Sequence, residues 1–270
     1  MADTTTQAAY LAEILRGYGL ESLNDWARNA IIFDWSQEQF VLELYKRPEF
    51  RSRFAGMFAL EAAGRPPVSV DEYLAYEKTA HSTAAMWGVT LSKEEVDNLI
   101  AGEVSNIELG ARFDLAAEAM FNSDDETISE LLRMNPNVNG GDLIRYYMNP
   151  KEELGKLQTS FRQAQIAGAA VRTGWGQLSL EQAQRLQEVG LTREQSQTGF
   201  AELARMDQVM NPFSITEDII TEEEQVQFLA GDVEAAARIE GRTRARLAEF
   251  AGTGGFAQGQ QGFAVGSANQ

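Results

Sequence analysis

The sequence predicts an all-α protein built from many short capped helices, and three observations carry that prediction. At eight places a Ser or Thr stands three residues ahead of a Glu or Gln: Ser36/Gln39, Ser69/Glu72, Ser92/Glu95, Ser105/Glu108, Ser123/Glu126, Ser179/Gln182, Thr192/Gln195 and Thr221/Glu224. At that spacing the hydroxyl accepts the N–H three residues on while the longer side chain reaches back to the first residue's N–H, so two orphan donors at a helix start are satisfied together. Each such cap stabilises its helix by about 1 kcal/mol. No run alternates apolar and polar residues with the period of two that a half-buried strand requires. Finally, a helical segment of the first half recurs in the second.

The recurrence pairs WGVTLSKEEVDNLIAGEVSNIELGARFDLAA, Trp87 to Ala117, with WGQLSLEQAQRLQEVGLTREQSQTGFAELARM, Trp175 to Met206. In one register Leu91, Ser92, Glu94, Leu99, Val104, Ser105, Phe113 and Ala117 face Leu178, Ser179, Glu181, Leu186, Leu191, Thr192, Phe200 and Ala204, and the two Trp-Gly pairs match after a one-residue gap. This spacing predicts a duplicated helical hairpin. A weaker echo follows each copy, YYMNPKEELGKL at Tyr146 to Leu157 against FLAGDVEAAARI at Phe228 to Ile239. Two copies fall short of the three that a solenoid needs, so a compact pseudo-symmetric α-fold is expected.

Taken in order, Tyr10, Leu11, Ile14, Leu15 and Tyr18 form one stripe on a first helix that Gly17 and Gly19 end. A second helix from about Leu23 to Ile32 carries Trp26, Ala30 and Ile31, and a third from Ser36 carries Phe40, Val41, Leu44 and Tyr45. Pro48 sits at an N1 position, opening a fourth helix with Phe50, Phe54, Met57, Phe58 and Leu60. Five phenylalanines between Phe33 and Phe58 place the best-packed core here. Gly64-Arg65-Pro66-Pro67 breaks the chain before Ser69, and helix resumes from Val70 toward Trp87. After the first hairpin a short helix starts at Asn122 to Asp125, and Met134 to Asp142 is a loop. A long helix is expected from about Pro150 to Thr173, with Leu154, Leu157, Phe161, Ala164, Gly168 and Val171 inward and the small residues allowing a close neighbour. The organisation read from these breaks is an aromatic-rich N-terminal subdomain at 1–67, a subdomain with the first hairpin at 68–158, one with the second at 159–250, and an extended Gly/Gln/Phe arm at 251–270.

Composition narrows the function classes. With 44% apolar residues in 270, the chain can support a core. A formal charge of −17 and a pI near 4.5 argue against direct nucleic-acid binding, which requires clustered Lys and Arg. The absence of cysteine excludes disulfides, thiolate metal sites and thiol catalysis, and fits a reducing site of synthesis. The opening MADTTTQAAYLAEILRGYG has neither the basic start nor the apolar run of a signal peptide, and no membrane span is expected.

No catalytic, metal or cofactor-binding residue emerges. His81 is the only histidine and reads as a structural or surface residue, because a Ser-His-Asp or zinc reading would have to draw every partner from Ser, Asp and Glu. Asn135, Asn137 and Asn139 with Gly140 have the start of a calcium-loop spacing, yet Tyr146 stands where a bidentate Glu is needed, so an Asx-rich turn is expected and no metal. Gly252, Gly254 and Gly255 follow a helix instead of opening one, the wrong context for cradling phosphate. Forty acidic residues read chiefly as a solvated surface. What remains is binding: Arg238, Arg242, Arg244 and Arg246 form a basic cluster ahead of an uncharged arm whose Phe256 and Phe263 are candidate anchors on a partner.

WSQEQFVLELYKRPEFRSRF from Trp35, DEYLAYEKTAHSTAAMWGV from Asp71, VSNIELGARF from Val104 and the closing RTRARLAEFAGTGGFAQGQQGFAVGSA resemble helical structural proteins encoded in the virion gene modules of tailed bacteriophages, particularly those of actinobacterial hosts. The likeness runs over most of the chain from about Leu20 and carries no catalytic signature. It implies a virion component of the tail, connector or interior, made in the host cytoplasm and carried in the particle. Its partners would be other virion proteins, in multiple copies of a symmetric assembly. The alternatives are a virion-associated peptidoglycan hydrolase and an acidic phage factor that binds a host protein.

Overall fold

A computed structural model of the chain describes residues 4–136, 138, 143–210 and 219–259. All regular structure among them is helical, as the capping pattern requires. In chain order α1 spans Thr4–Gly17, a 3-10 turn Glu21–Leu23, α2 Asn24–Ile32, α3 Gln37–Lys46, α4 Pro48–Arg53, α5 Ala55–Ala62, α6 Val70–Met86, α7 Lys93–Ala101 and α8 Asn106–Phe121. There follow α9 Asp125–Met134, α10 Leu143–Met148, α11 Leu154–Arg172, α12 Leu180–Glu188, α13 Arg193–Met210, α14 Glu222–Leu229 and α15 Val233–Gly259. The chain forms two compact units, Met1–Ala117 with Ile144–Leu154, and Glu118–Leu143 with Gly155–Gln270.

Five of the eight expected boxes close in both directions, at Ser69, Ser92, Ser179, Thr192 and Thr221. Ser36 and Ser105 accept the N–H three residues on, but the Glu108 carboxylate is drawn away to Arg112. Ser123 is not a cap. Asp124 takes that place, accepting the Thr127 N–H at 2.8 Å, and Ser123 donates backward to the Glu118 carbonyl. A carboxylate is the better acceptor for that position, because it also complements the positive end of the helix.

In the first unit the expected helix from Pro48 is two helices, broken at Phe54, whose φ of −116° and ψ of 38° are not helical. The break frees the Gly56 N–H, and the Asp97 carboxylate of α7 accepts it at 3.1 Å. Gly56 permits that approach, since a Cβ there would lie 2.7 Å from the Asp97 carbonyl oxygen. The same carboxylate accepts the Tyr73 hydroxyl and pairs with Lys93. Burial first, and then the bond to Asp97, hold the Tyr73 hydroxyl far above its ordinary pKa, fixing it as a donor. Arg53 completes the junction with two hydrogen bonds to Glu77 and one, at 2.9 Å, to the Tyr18 carbonyl beyond the end of α1.

The second unit is organised on α11, which begins at Leu154 and buries Leu157, Phe161, Ala164 and Gly168 as expected, whereas Val171 is 37% exposed. At Gly168 a Cβ would lie 2.7 Å from the backbone of Thr127, so α9 comes as close as the small residue allows. Ile166, Ala170, Leu178, Leu186, Phe200, Leu203, Val226 and Ile239 pack into one core. Asn135, the first position of the rejected calcium-like spacing, donates to the Leu131 carbonyl and to Ser160; residues 137 and 139–142 of that loop lie outside the described residues. Helix α10 was not evident in the sequence, and α15 continues through Gly259, nine residues past the expected end at 250. Residues 260–270 of the expected arm lie outside the described residues.

The duplication is visible in backbone bonding at a constant offset of 87 residues. Glu103 and Val104 donate to Ile100 and Leu99, and Gly190 and Leu191 donate to Gln187 and Leu186, the paired bonds of a Schellman turn in both copies. The Trp-Gly match does not survive. Gly88 ends α6 at φ 70° as Gly174 ends α11 at φ 76°, so Trp87 corresponds to Thr173, while Trp175 stands two residues later and packs on Phe200. The repeat therefore includes the preceding helix, α6–α7–α8 against α11–α12–α13. Its glycine has also moved. In the first copy Gly102 is needed at the C-cap, where a Cβ would lie 2.4 Å from the Pro150 side chain, and Glu103 takes the left-handed position at φ 57°. In the second, Val189 is the cap and Gly190 the left-handed residue, at φ 80°.

Two outcomes follow. Gly190→Ala should cost about 1 kcal/mol, the penalty for a side chain in that conformation, whereas Glu103→Gly should be neutral or slightly stabilising; urea unfolding measures both. Burial alone would raise the Asp124 carboxyl, but the Thr127 bonds and the Arg193 and Arg172 guanidiniums outweigh it and hold the pKa low. A depressed carboxyl contributes stability that is complete above its unfolded pKa, about 3.9, and is lost as pH falls through the lower folded value. Asp124→Asn keeps an N-cap acceptor but removes the charge, and should flatten that acid-side loss in pH-dependent thermal melts.

Candidate functional site

The expectation that the aromatic region holds the best-packed core is only half met. Leu15, Phe50 and Phe54 are buried, but Tyr10 is 65% exposed and Phe33 71%, and Leu11, Ile14 and Tyr18 are half-buried. The reason lies in helix pairing: α1 packs on α2 and the 3-10 turn, and α3 packs on α4, leaving the α1 stripe and the apolar face of α3 across a gap. That gap is a cleft of about 590 Å³. Tyr10, Leu11, Ile14 and Tyr18 line it from α1, Phe40, Val41 and Tyr45 from α3, and Trp35 from the α2–α3 connection; the buried Ala30, Leu44 and Phe50 lie at its base.

Rings and arginines stiffen the walls. Trp26 packs on Phe40 at 4.9 Å and edge-on to Trp35 at 5.9 Å, with the Arg47 guanidinium 5.2 Å from its ring. Tyr45 contacts Phe50 at 4.7 Å, Phe50 contacts Phe54 at 4.8 Å, and Phe54 meets Tyr73 at 5.0 Å, which ties the base of the cleft to the Asp97 junction. Arg51 lies 4.1 Å from the Phe58 ring. Such contacts contribute on the order of 1 kcal/mol each beyond burial. The basic run around Pro48 thus serves the aromatic wall, a role that its sequence did not disclose.

Gln7, Asp34, Ser36, Gln37, Ser69 and Asp71 are the polar residues of the cleft beside its tyrosine hydroxyls. Asp34, held at φ 51°, and Asp71, in the first turn of α6, are exposed carboxylates at its margin, with no ion pair among the described residues. Burial and then the Asp71 charge raise the Tyr18 hydroxyl, keeping it protonated. Neither carboxylate stands beside a histidine, and His81 is exposed elsewhere on α6. The concavity thus combines aromatic and aliphatic walls with interspersed polar side chains, the general make-up of a binding surface.

The residues nominated from sequence belong to the second unit. Arg238 is already paired with Glu224, Arg242 is half-buried, and Arg244 is exposed. The side chains of Arg246 and Phe256, and all of Phe263, lie outside the described residues. Sequence reasoning missed the cleft because a stripe at helical spacing looks the same whether or not its partner closes on it; the signal was an excess of aromatic stripes over helices able to cover them. No protein-family model, curated protein or solved structure matches the chain. Among the described residues no helix is long and apolar enough to cross a membrane.

Tyr10→Ser and Val41→Ser should reduce the fluorescence of an apolar dye bound to the protein while changing unfolding free energy by no more than about 0.5 kcal/mol, as expected for exposed positions.

Proposed function

We propose that this protein is a non-enzymatic structural component of a tailed-bacteriophage virion, from the tail, connector or interior, that works through protein–protein assembly. The observation that carries the reading is the uncovered aromatic cleft together with exposed apolar residues next to its lining in the chain: Ile32 and Phe33, between Ile31 and Asp34, and Leu42, after Val41, are 73%, 71% and 58% exposed. A monomer rarely leaves so many large apolar groups close together unless they meet a partner. The strongly acidic remainder keeps such a protein soluble until assembly and opposes direct contact with nucleic acid, so the partners are other virion proteins. The resemblance of most of the chain to virion-module proteins supports the same reading. The protein is made in the host cytoplasm and carried in the particle.

Mass spectrometry of gradient-purified particles should find the chain at a fixed stoichiometry, and electron microscopy should place it in density. Its absence from purified particles overturns the reading. Clearing of a peptidoglycan suspension by the purified protein would transfer it to the hydrolases.

A further inference from the structure

We propose that the aromatic cleft is the receptor for residues 251–270 of a second copy of this chain, with Phe256 and Phe263 as the anchors. This rests on the assembly reading above and names the partner.

The first argument is where α15 goes. Ala235 and Ile239 are buried in the core of their unit, Thr243 is half-buried, and Arg244, Ala245 and Ala248 are exposed, while the helix runs on to Gly259. At 1.5 Å per residue the stretch beyond Ile239 carries the chain about 30 Å. The helix therefore sets residues 251–270 well along the chain from the two side chains, Ala235 and Ile239, that fix it in its core.

The second argument is composition. Residues 251–270 contain no charge, and Gly-Phe-Ala occurs twice, at 255–257 and 262–264. A separation of seven is two helical turns, which brings Phe256 and Phe263 to one face, whereas in an extended strand an odd separation puts them on opposite faces. Docking as a helix in a groove presents both rings to one concavity. The cleft offers that concavity, with ring and aliphatic walls for the two phenylalanines, and its Gln7, Ser36, Gln37 and Ser69 side chains can meet the Gln, Thr and Ser side chains of an uncharged segment.

Charge supplies the third. Asp34 and Asp71 lie at the cleft, and Arg244 and Arg246 stand shortly before the segment, so approach brings opposite charges together. A cleft and an arm at different places on one chain make a heterologous contact, which propagates head to tail into a ring or filament.

Sedimentation velocity on the full chain and two variants tests this in solution, whether or not particles contain the protein. The full chain should associate with rising concentration. Deletion of 251–270 and Val41→Glu should each yield monomers, and the two mixed should form a 1:1 pair that grows no further, since one working cleft and one working arm remain. Phe256→Ala with Phe263→Ala should weaken association by about tenfold or more, as for loss of aromatic anchors. Should Val41→Glu lose helical circular dichroism, Tyr10→Glu, at a more exposed cleft position, replaces it. A deletion variant that associates like the full chain, a mixture that stays monomeric, or a full chain that is monomeric at all concentrations overturns the proposal. A monomeric full chain whose tryptophan fluorescence shifts on deletion assigns the arm to its own cleft.

Discussion

Each helix leaves four N–H and four C=O groups without intrahelical partners, and the fifteen mostly short α-helices among the described residues multiply that requirement until it governs the design. Ser, Thr and Asp caps satisfy the donors locally. The acceptors are met by Schellman turns and, where the chain changes direction, by side chains from distant elements. Arg112 is the fullest case: 1% exposed and paired with Glu108, it donates to the carbonyls of Tyr147, Asn149 and Glu152, fastening the irregular stretch between α10 and α11. Arg53 does the same for Tyr18 and Arg133 for Leu178, while Asp97 serves the opposite need at the Gly56 N–H. The buried charge of Arg112 is tolerable because it is paired and also saturated with backbone bonds, and the less buried Arg53, Arg133 and Asp97 each combine an ion pair with one backbone bond.

The duplicated three-helix motif shows how one backbone solution accommodates different side chains. At the 87-residue offset Leu99 and Leu186, and Phe113 and Phe200, are buried in both copies, so the apolar spine is common. Arg112 corresponds to Gly199. In the first copy a long cation meets a following segment by hydrogen bonds to its backbone; in the second an absent side chain admits Leu229, whose methyl would lie 2.6 Å from a Cβ at that glycine. Tyr147 and Leu229, the residues met, are themselves equivalent in the weaker echo between 146–157 and 228–239. A polar and an apolar clamp thus occupy the same place, and each excludes its counterpart's side chain.

The docking proposed for the aromatic surface of the first unit has a physical logic in an acidic protein. Self-repulsion would keep copies apart until a specific contact formed, while a cleft braced by ring stacking and the Arg53–Glu77 and Tyr73–Asp97 bonds would need little reorganisation to bind.

Local chemistry was legible in the sequence. Helix starts at Ser69, Ser92, Ser179 and Thr221, the N1 proline at 48, the break at 64–67 and the close approach at Gly168 all depend on residues within a few positions, or on a small side chain whose meaning is the same in any surroundings. Tertiary structure decided the rest. Whether the α1 stripe is core or cleft depends on how near α3 comes; whether the helix at Phe54 breaks depends on Asp97, more than forty residues away. Likewise, that the glycine of the first hairpin turn stands at the cap and leaves Glu103 left-handed depends on Pro150 crowding Gly102. Periodicity reports that a face is apolar, but only packing fixes what covers it, because burial is a property of two surfaces and the sequence of one helix describes one.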